Sequence, residues 1–568
     1  MISKRGPGLR AMFAGERSSV TAVLVVAAWL TAFANLPLWR ALAAILPPRQ
    51  LVIAGVAIAL VLFCSLVALL ALLAWGRVTA KVLWLLVILA AAVSQYFMLA
   101  FGIVIDPVML ANVRQTGSSE ALDLLKLPFF ASVLTLTLPP LLWLAKTRLR
   151  AVSWPRQLLR NGGLGLGAAA IGAGVALAAY SVLGPLVRNH LELRYLPNPV
   201  TPLVSLAKAV ARQPPSTAAP QRLGSAVTLG ASHQRADAKP PLVVIVVGET
   251  ARADHFGLNG YARDTTPELM KRNVLSFGNV WSCGTSTLHS VPCMFSPLGR
   301  ERYLERSHEV ENLLDVARDA GMAVLWIDNQ AGCKNVCDRV ASVSTSVIAK
   351  TPAGQSLCAG GECLDAALLL DLDARLAALP EAARRNGSLL VLHMMGSHGP
   401  AYSRRSPPAT KRFRPECETL ALGDCDHDAL VNAYDNSIAY TDQVLAQLID
   451  WLQAKAADRP AAMLYVSDHG ESLGEFGIFL HGLPYSLAPD VQKHVPLVLW
   501  LNEPMQRQRS ISLDCLRAGS GQRLSHDNLF HVGIGLLDVL GGGYDARLDF
   551  IAACGPPPGG ARVSHSTR

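Results

Sequence analysis

Five long apolar stretches in the first third of the chain restrict its fold more than any other feature of the sequence. A helix needs about 20 mostly apolar residues to cross the hydrocarbon core of a bilayer. Stretches of about this length occur at residues 20–46, 51–75, 82–105, 127–145 and 163–184. A buried core helix could explain any one of them, but five in succession favour membrane-spanning helices. The sequence therefore predicts five transmembrane helices, and no stretch after residue 184 qualifies.

Basic residues fall mainly on one side of these five segments. An N-terminus in the cytoplasm places the larger group there: Lys4, Arg5, Arg10, Arg17, Arg77, Lys81, Lys146, Arg148, Arg150, Arg156 and Arg160. The smaller group then lies on the far side: Arg40, Arg49, Arg114 and Lys126. This asymmetry obeys the positive-inside rule. An odd number of spans then delivers everything after residue 184 to the extracytoplasmic side.

The cysteines provide an independent indication of that compartment. Of the eleven, one lies in the second apolar stretch and ten follow residue 280. Most of the ten form close pairs: Cys283 with Cys293, Cys333 with Cys337, Cys358 with Cys363, and Cys417 with Cys425. An even set confined to the outer part indicates disulfides formed in an oxidising compartment. A zinc site at Cys333-x3-Cys337 is the alternative, although no second pair completes it, and the connectivity of Cys515 and Cys554 stays open.

The composition also indicates where the domains divide. Residues 197–241 are rich in Pro, Ala, Ser and Gln and carry no strong apolar period, which is typical of a linker. We expect a transmembrane domain over 1–184, a linking segment over 185–240 and a catalytic domain over 241–568. The net charge of +9 is spread over loops and surface arginines, so nucleic-acid binding is not expected.

Four short apolar runs beyond the linker each end on polar residues. They are "PLVVIVVGET", "MAVLWIDNQ", "SLLVLHMMGSHG" and "AMLYVSDHG", and helical stretches lie between them. Strands alternating with helices predict an α/β domain with a largely parallel sheet. In such sheets ligands bind at the carboxyl ends of the strands. The polar residues at those ends are Glu249, Asn329, His398, Asp468 and His469.

Three of these residues have the chemistry of a metal site. Zinc binds carboxylate oxygens and imidazole nitrogens, and Glu249, Asp468 and His469 supply both kinds of ligand. Each residue alone is more often a helix cap or part of a turn, but their joint position at strand ends favours a metal. Thr285 in "WSCGTSTLHSVPCMF" is a candidate nucleophile, since zinc coordination would lower the pKa of its hydroxyl. An N-cap role for Thr285 is the alternative.

Four motifs resemble those of the bacterial phosphoethanolamine transferases, the family that includes lipid A modifying enzymes of polymyxin resistance. They are "VVGETARADHFGLNGYARDTTP", "SCGTSTLHSVPCMF", "MMGSHGP" and "YVSDHGESLGEFGIFLHG". The resemblance covers the whole chain. It implies five membrane helices, a linker and a periplasmic domain with an alkaline-phosphatase-like fold.

The resemblance also implies roles for individual residues. It assigns the zinc ligands to Glu249, Thr285, Asp468 and His469, with Thr285 as the residue that carries phosphoethanolamine. His398 and His481 would act beside them in catalysis, binding a second zinc or the phosphates of the two substrates. Asn329 and Lys334 would contact phosphoethanolamine. Three residues after the third membrane helix would face the donor lipid: Asn112, Thr116 and Glu120.

The implied activity is a zinc-dependent transfer of phosphoethanolamine from phosphatidylethanolamine to a lipopolysaccharide acceptor, with a lipid A phosphate as the first choice. We expect one tight zinc site, with a second left open, and a monomer in the bacterial inner membrane with its catalytic domain in the periplasm. Kdo, heptose and periplasmic glucan remain alternative acceptors, and a glycerol-phosphate transferase of the lipoteichoic acid type is an alternative enzyme. A sulfatase would need a Cys-x-Pro-x-Arg motif, which "CGTST" lacks. A noncatalytic sensor on the same fold is the alternative from another class.

Overall fold

The computed structural model describes residues 16–115, 122, 124–211, 220–359 and 361–555. The chain divides into two compact units. The helical unit comprises residues up to 113 and residues 121–212, and the sheet unit is formed largely by residues 213–568.

The described part of the helical unit contains four helices that are long and apolar enough to cross a membrane. They are Pro48–Leu72, Val78–Phe101, Leu127–Lys146 and Trp154–Ala178. A fifth candidate is the pair Ser19–Phe33 and Leu36–Ile45, which is bent by 48°. The continuous first helix predicted over residues 20–46 is therefore wrong, and the last span begins at Trp154 rather than at residue 163. The shorter helices are Pro107–Gln115, Tyr180–Asn189 and Val200–Ala211.

Polar side chains satisfy the backbone groups that the break in the first helix leaves free. Gln95 donates to the Phe33 carbonyl (3.0 Å) and accepts from the Leu36 amide (3.0 Å). The buried Asn198 side chain donates to the Ala34 carbonyl (2.8 Å), and Asn35 Nδ2 donates to the Asn198 carbonyl (2.7 Å). Unpaired backbone groups are costly in an apolar phase. These hydrogen bonds therefore lower the free-energy cost of the bend.

Other contacts join segments that flank the long helices. Glu16–Arg17 pairs as a short parallel strand with Arg148–Leu149. Lys81 donates to the Thr147 carbonyl (2.6 Å), and Gln157 donates to the Ala74 carbonyl (2.8 Å). The first pairing brings the residue before the bent helix pair next to the residues after Leu127–Lys146.

The sheet unit is built on one eight-stranded sheet. In chain order its strands are β1 (Leu242–Gly248), β2 (Leu275–Trp281), β3 (Ala323–Asp328), β4 (Ala341–Ser344), β5 (Ser388–His393), β6 (Ala461–Ser467), β9 (His494–Leu501) and β10 (Leu524–Ser525). A hairpin of β7 (Ser472–Leu473) and β8 (Phe479–Leu480) lies apart from it. The strand order in the sheet is β10-β2-β9-β6-β1-β5-β3-β4. Further two-residue strands pair Thr228–Leu229 with Val539–Leu540 and Cys358–Ala359 with Glu362–Cys363.

The sheet is mixed. Strand β9 runs antiparallel to both of its neighbours, β2 and β6, whereas β6, β1, β5, β3 and β4 pair in parallel. Strand β9 was not among the strands predicted from the sequence. A short apolar run also does not reveal whether its strand runs parallel or antiparallel to its neighbours. Alternate side chains of the central strands enter two separate cores, for example Val243 on one face and Val244 on the other. The unit therefore has three layers, with helices covering both faces of the sheet.

Helices of very different length cover the sheet. The longest is His427–Lys455, which begins at the N-cap Asp426. The others are Pro267–Met270, Thr287–Met294, Gly299–Glu305, Leu313–Asp319, Thr345–Ile348, Pro352–Gln355, Leu372–Ala378, Glu381–Arg384, Glu503–Arg509, Leu513–Ala518 and Leu529–Leu537.

Five disulfides cross-link the sheet unit. Four of them join the pairs expected from their spacing: Cys283–Cys293, Cys333–Cys337, Cys358–Cys363 and Cys417–Cys425. The fifth joins Cys515 to Cys554, the two cysteines whose connectivity the sequence left open. The predicted disulfide framework is confirmed, and the alternative of a zinc site at Cys333 and Cys337 is wrong.

Candidate active site

The register of the central strands brings three polar residues together at one edge of the sheet. Strands β1 and β6 are parallel, and Gly248 pairs with Ser467 at their carboxyl ends. The next residues along the two strands are Glu249 and Asp468, so their side chains leave the sheet side by side. His469 follows at once. All three side chains are fully buried.

The distances among these three residues suit a metal ion. His469 Nε2 lies 3.3 Å from Glu249 Oε1 and 3.3 Å from Asp468 Oδ2. Two ligands at zinc distances from one tetrahedral ion are separated by about 3.3 to 3.4 Å. Asp468 Oδ2 and His469 Nε2 are buried and make no hydrogen bond to any residue that the structure describes. Buried polar atoms without partners are costly, and a cation between them would remove that cost. These residues could therefore hold a metal.

Their pKa values reflect three ionisable groups confined in one buried space. Burial lowers the pKa of His469, but the charges of Asp468 and Glu249 outweigh it and raise the pKa to about 10. Burial and the charge of Glu249 raise the pKa of Asp468 to about 7. Burial raises the pKa of Glu249, but the nearby charge of His469 dominates, so the net shift is downward. Without a metal, the imidazole carries a proton that metal binding would displace.

The candidate nucleophile lies in the loop between β2 and the helix Thr287–Met294. Thr285 is buried, and its hydroxyl donates to the Leu483 carbonyl (2.6 Å). Thr287, two residues later, donates to Glu249, with its hydroxyl 3.2 Å from Oε2. Thr287 is thus the residue that joins this loop to the carboxylate, and the sequence analysis did not predict it.

His526 holds the same loop to the end of β6. Its Nδ1 accepts from the Cys283 amide (3.0 Å), and its Nε2 donates to the Ser467 carbonyl (2.9 Å). Burial lowers the pKa of His526 to about 4, so the ring is neutral and its two hydrogen bonds fix one tautomer. Sequence reasoning missed this residue, because nothing in "LSHDN" relates it to a loop more than two hundred positions earlier.

Two further histidines adjoin the three candidate ligands. The ring centroid of His481 lies 4.3 Å from that of His469 and 5.3 Å from that of His398. The ligand atoms of Glu249, His398 and His481 all lie within 4.8 Å of one another. The structure therefore brings His398 and His481 to the site, in a position where they could bind a second cation or a phosphate.

Glu471 fixes the orientation of one of these histidines, and sequence reasoning also missed it. Its carboxylate is fully buried and accepts from His481 Nδ1 (2.7 Å) and from the Tyr402 hydroxyl. Because the carboxylate holds the proton of Nδ1, His481 Nε2 is left to act as ligand or base. The available signal was the position of Glu471 in "SDHGES", three residues after Asp468.

Asn329 and Lys334 follow β3, but they differ in how they are placed. The Asn329 amide is buried and donates to Asp365 (2.8 Å), while its oxygen accepts from Thr345 (2.6 Å). Lys334 lies in the loop closed by Cys333–Cys337, donates to the Ala331 carbonyl (3.0 Å) and lines a cavity of about 470 Å³. Substrate contact stays a prediction for both residues.

The predicted donor-lipid residues belong to a different part of the chain. Asn112 lies in the helix Pro107–Gln115. Thr116 and Glu120 lie outside the residues that the structure describes.

Comparison with known proteins assigns the chain to a family. The sulfatase family profile matches residues 241–539, and a profile described as phosphoethanolamine transferase EptA/EptB matches residues 62–213. The chain is 38% identical over 501 residues to phosphatidylethanolamine transferase Mcr-1 from Escherichia coli, covering 86% of this chain and 91% of that protein. The chain belongs to the phosphoethanolamine transferase family. The predicted family and its enzyme class are confirmed.

Two more members show that the similarity extends over most of the chain. Phosphoethanolamine transferase EptA from Escherichia coli K12 is 37% identical over 480 residues, which cover 83% of this chain and 84% of that protein. The solved structure of the integral membrane protein lipooligosaccharide phosphoethanolamine transferase A from Neisseria meningitidis superposes with a TM-score of 0.87 at 32% identity. The superposition covers 96% of this chain and 100% of the Neisseria chain. This transferase is therefore a membrane protein with an alkaline-phosphatase-like catalytic domain.

Proposed function

We propose that this transferase moves phosphoethanolamine from phosphatidylethanolamine to a phosphate group of lipid A in lipopolysaccharide. The observation that carries the proposal is the buried set of Glu249, Asp468 and His469 beside the Thr285 loop. The relatives are named as transferases of phosphoethanolamine, and the Neisseria relative is a lipooligosaccharide phosphoethanolamine transferase. Transfer to Kdo is a second candidate, because a relative named Kdo(2)-lipid A phosphoethanolamine 7''-transferase is 27% identical over 466 residues.

The proposed chemistry is two displacements at phosphorus. In the first, the Thr285 oxygen forms a bond to phosphorus while the bond from phosphorus to the glyceride oxygen breaks. The proton of the Thr285 hydroxyl, which the Leu483 carbonyl holds in place beforehand, passes to His398 or His481, and that histidine donates it to the glyceride oxygen as diacylglycerol leaves. In the second, a phosphate oxygen of the acceptor bonds to phosphorus and the bond to Thr285 breaks, while the proton of the acceptor phosphate passes through the same histidine to the Thr285 oxygen.

Zinc is the metal that we assign to the site. Its ligands would be Glu249, Asp468 and His469, with Thr285 as the fourth. A bound zinc ion supplies positive charge that lowers the pKa of a neighbouring hydroxyl and stabilises charge on the phosphoryl oxygens. A second zinc at His398 and His481 remains open.

The remaining predicted contacts complete the substrate assignment. We propose that Lys334 and Asn329 contact the phosphoethanolamine group, and that the donor lipid is bound by Asn112, Thr116 and Glu120. A phosphate capped by an ammonium group attracts cationic peptides less strongly, which fits an enzyme of polymyxin resistance.

For topology, we propose five crossings of the bacterial inner membrane and a periplasmic catalytic domain. The pairing of Glu16–Arg17 with Arg148–Leu149 supports this count, because an even number of crossings must separate two paired segments. The three long helices between residues 48 and 146 give an even number only if the bent pair crosses as well. The five disulfides support the periplasm. We retain the domain limits 1–184, 185–240 and 241–568 and a monomeric state.

The test is mass spectrometry of the full-length protein incubated with phosphatidylethanolamine and no acceptor. A phosphoethanolamine adduct is expected on the peptide that contains Thr285 and is expected to disappear when lipid A is added. Thr285→Ala should give neither adduct nor transfer, whereas Thr228→Ala, on an exposed strand, should give both. Full transfer by Thr285→Ala would show that another group is the nucleophile.

A further inference from the structure

The hairpin β7–β8 connects the candidate active site to an exposed tip. Glu471 precedes β7 and His481 follows β8, and the two side chains are hydrogen-bonded at the base of the hairpin (2.7 Å). The tip comprises residues 474–478. The tip is therefore connected through two short strands to His481, a residue of the candidate site.

Hydrogen bonds and an ion pair hold the exposed tip. Glu475 accepts from the buried guanidinium of Arg252 (2.6 Å) and from the Leu473 amide (2.7 Å). The Gly474 amide donates to the Ile478 carbonyl (2.9 Å), which closes the turn. The carboxylate at the tip is thereby neutralised, and the backbone around Phe476 is fixed.

Phe476 points out of this hydrogen-bonded tip. Its side chain is 92% exposed, against 57% for Val347 and 53% for Met270, the next most exposed large apolar side chains in the described part of the sheet unit. Its backbone is left-handed, with φ 56° and ψ 24°. Bulky side chains rarely adopt this conformation, which suits Gly or Asn. Phe476 thus contributes neither to packing nor to the turn, so folding does not explain it.

We propose that Phe476 inserts into the interfacial region of the bilayer and holds the active-site hairpin at the lipid surface. The inference rests on the proposed function, in which both substrates are bilayer lipids. The chain carries helices long and apolar enough to cross a membrane, so the protein is held at a bilayer. Aromatic rings are favoured at the bilayer interface. The ion pair with Arg252 offsets the charge of Glu475, the acidic side chain of the tip itself, and Arg252 pairs with Asp254 as well.

Spin labelling of the full-length protein in nanodiscs tests the location of the tip. A nitroxide is attached at Phe476→Cys and, as the matched exposed control, at Val347→Cys, each with Cys64→Ala, since Cys64 is the free cysteine. The label at 476 should be more accessible to oxygen than to a water-soluble nickel complex, and the label at 347 should show the reverse. The proposal would be overturned if the label at 476 were as accessible to the nickel complex as the label at 347. It would also be overturned if the label at 476 were shielded from both reagents in nanodiscs and in detergent, since protein rather than lipid would then cover it.

Kinetics separate lipid contact from catalysis. Phe476→Asn keeps a residue that suits the left-handed turn but removes the ring. It should lower kcat/KM for phosphatidylethanolamine in vesicles by about tenfold and leave kcat/KM for a soluble short-chain donor unchanged. Phe476→Trp should restore the vesicle rate. Equal loss of kcat/KM with both donors, or no loss with either, would contradict the proposal. A wild-type protein that is inactive on both donors would instead contradict the proposed function, and the spin-label result would still test the position of the tip.

Discussion

The candidate metal site places two carboxylates and one imidazole in a space that excludes water. They belong to Glu249, Asp468 and His469. Burying charge is costly unless the charges are paired and hydrogen-bonded. Here Asp468 Oδ2 and His469 Nε2 have no hydrogen-bond partner among the described residues. Such an arrangement is maintained at a cost to stability, and a bound cation would offset the cost.

The residue-scale prediction concerns metal affinity. Glu249→Gln and Asp468→Asn each remove a negative charge from the site, so zinc affinity should fall by about 100-fold or more. Metal content of the purified full-length variants, measured by mass spectrometry after dialysis against a weak chelator, tests this. Glu305→Gln, a substitution of an exposed helical carboxylate, should retain wild-type zinc. Wild-type zinc content in Glu249→Gln would place the metal elsewhere.

At the scale of elements, the site depends on ties between segments that are distant in the chain. The Thr285 loop is held to β6 by His526 and to Glu249 by Thr287. The loop after β8 is held by Glu471 through His481. Each tie positions a reacting group relative to the strand that carries Asp468, so the elements have to be in register before the chemistry can occur.

The element-scale prediction compares two buried histidines. His526→Ala removes the tie between Cys283 and Ser467, so kcat should fall by about 100-fold. His531→Ala is the matched control: His531 is equally buried and has the same lowered pKa of about 4, but it accepts from the Asp545 amide. The measurement is kcat together with the thermal unfolding temperature of each full-length variant.

Both variants should lose stability, and only His526→Ala should lose activity beyond that loss. Because both native rings stay neutral when folded, native stability falls as pH drops from about 6.5 towards 4, and each variant should weaken that dependence. Equal kcat in the two variants would show that His526 has a structural role alone.

On the scale of the whole molecule, the chain combines a helical unit of four or five spans with a disulfide-linked sheet unit. Two contacts connect positions that are separated by several long helices. They are the pairing of segment 16–17 with segment 148–149 and the hydrogen bond between Asn35 and Asn198. The first of these contacts requires segments 16–17 and 148–149 to lie on the same side of a membrane. It constrains the topology independently of the basic residues.

The whole-molecule prediction follows from the proposed topology. A reporter that is active only in the periplasm should be active when fused after Pro241 and silent when fused after Arg150. A cytoplasmic reporter at the same two positions serves as the control and should give the opposite pattern. Periplasmic activity of the Arg150 fusion would contradict the proposed orientation.

The sequence by itself determined the features that depend on local order. Long apolar stretches, short strands and closely spaced cysteines are each defined within a few tens of residues, so the membrane segments, the α/β class and four disulfides could be predicted. The set of Glu249, Asp468 and His469 could be predicted as well, because the carboxyl ends of parallel strands meet at one edge.

Tertiary structure alone decided the features that join distant residues. These are the antiparallel direction of β9, the Cys515–Cys554 bond, and the ties made by Thr287, His526 and Glu471. It also decided the break at Asn35, where the side chains of Gln95 and Asn198 bind backbone groups of Leu36 and Ala34. A single sequence carries no periodic signal for such contacts, since each depends on how the strands and helices pack. The chemistry of the site is therefore encoded locally, whereas its geometry depends on the packed fold.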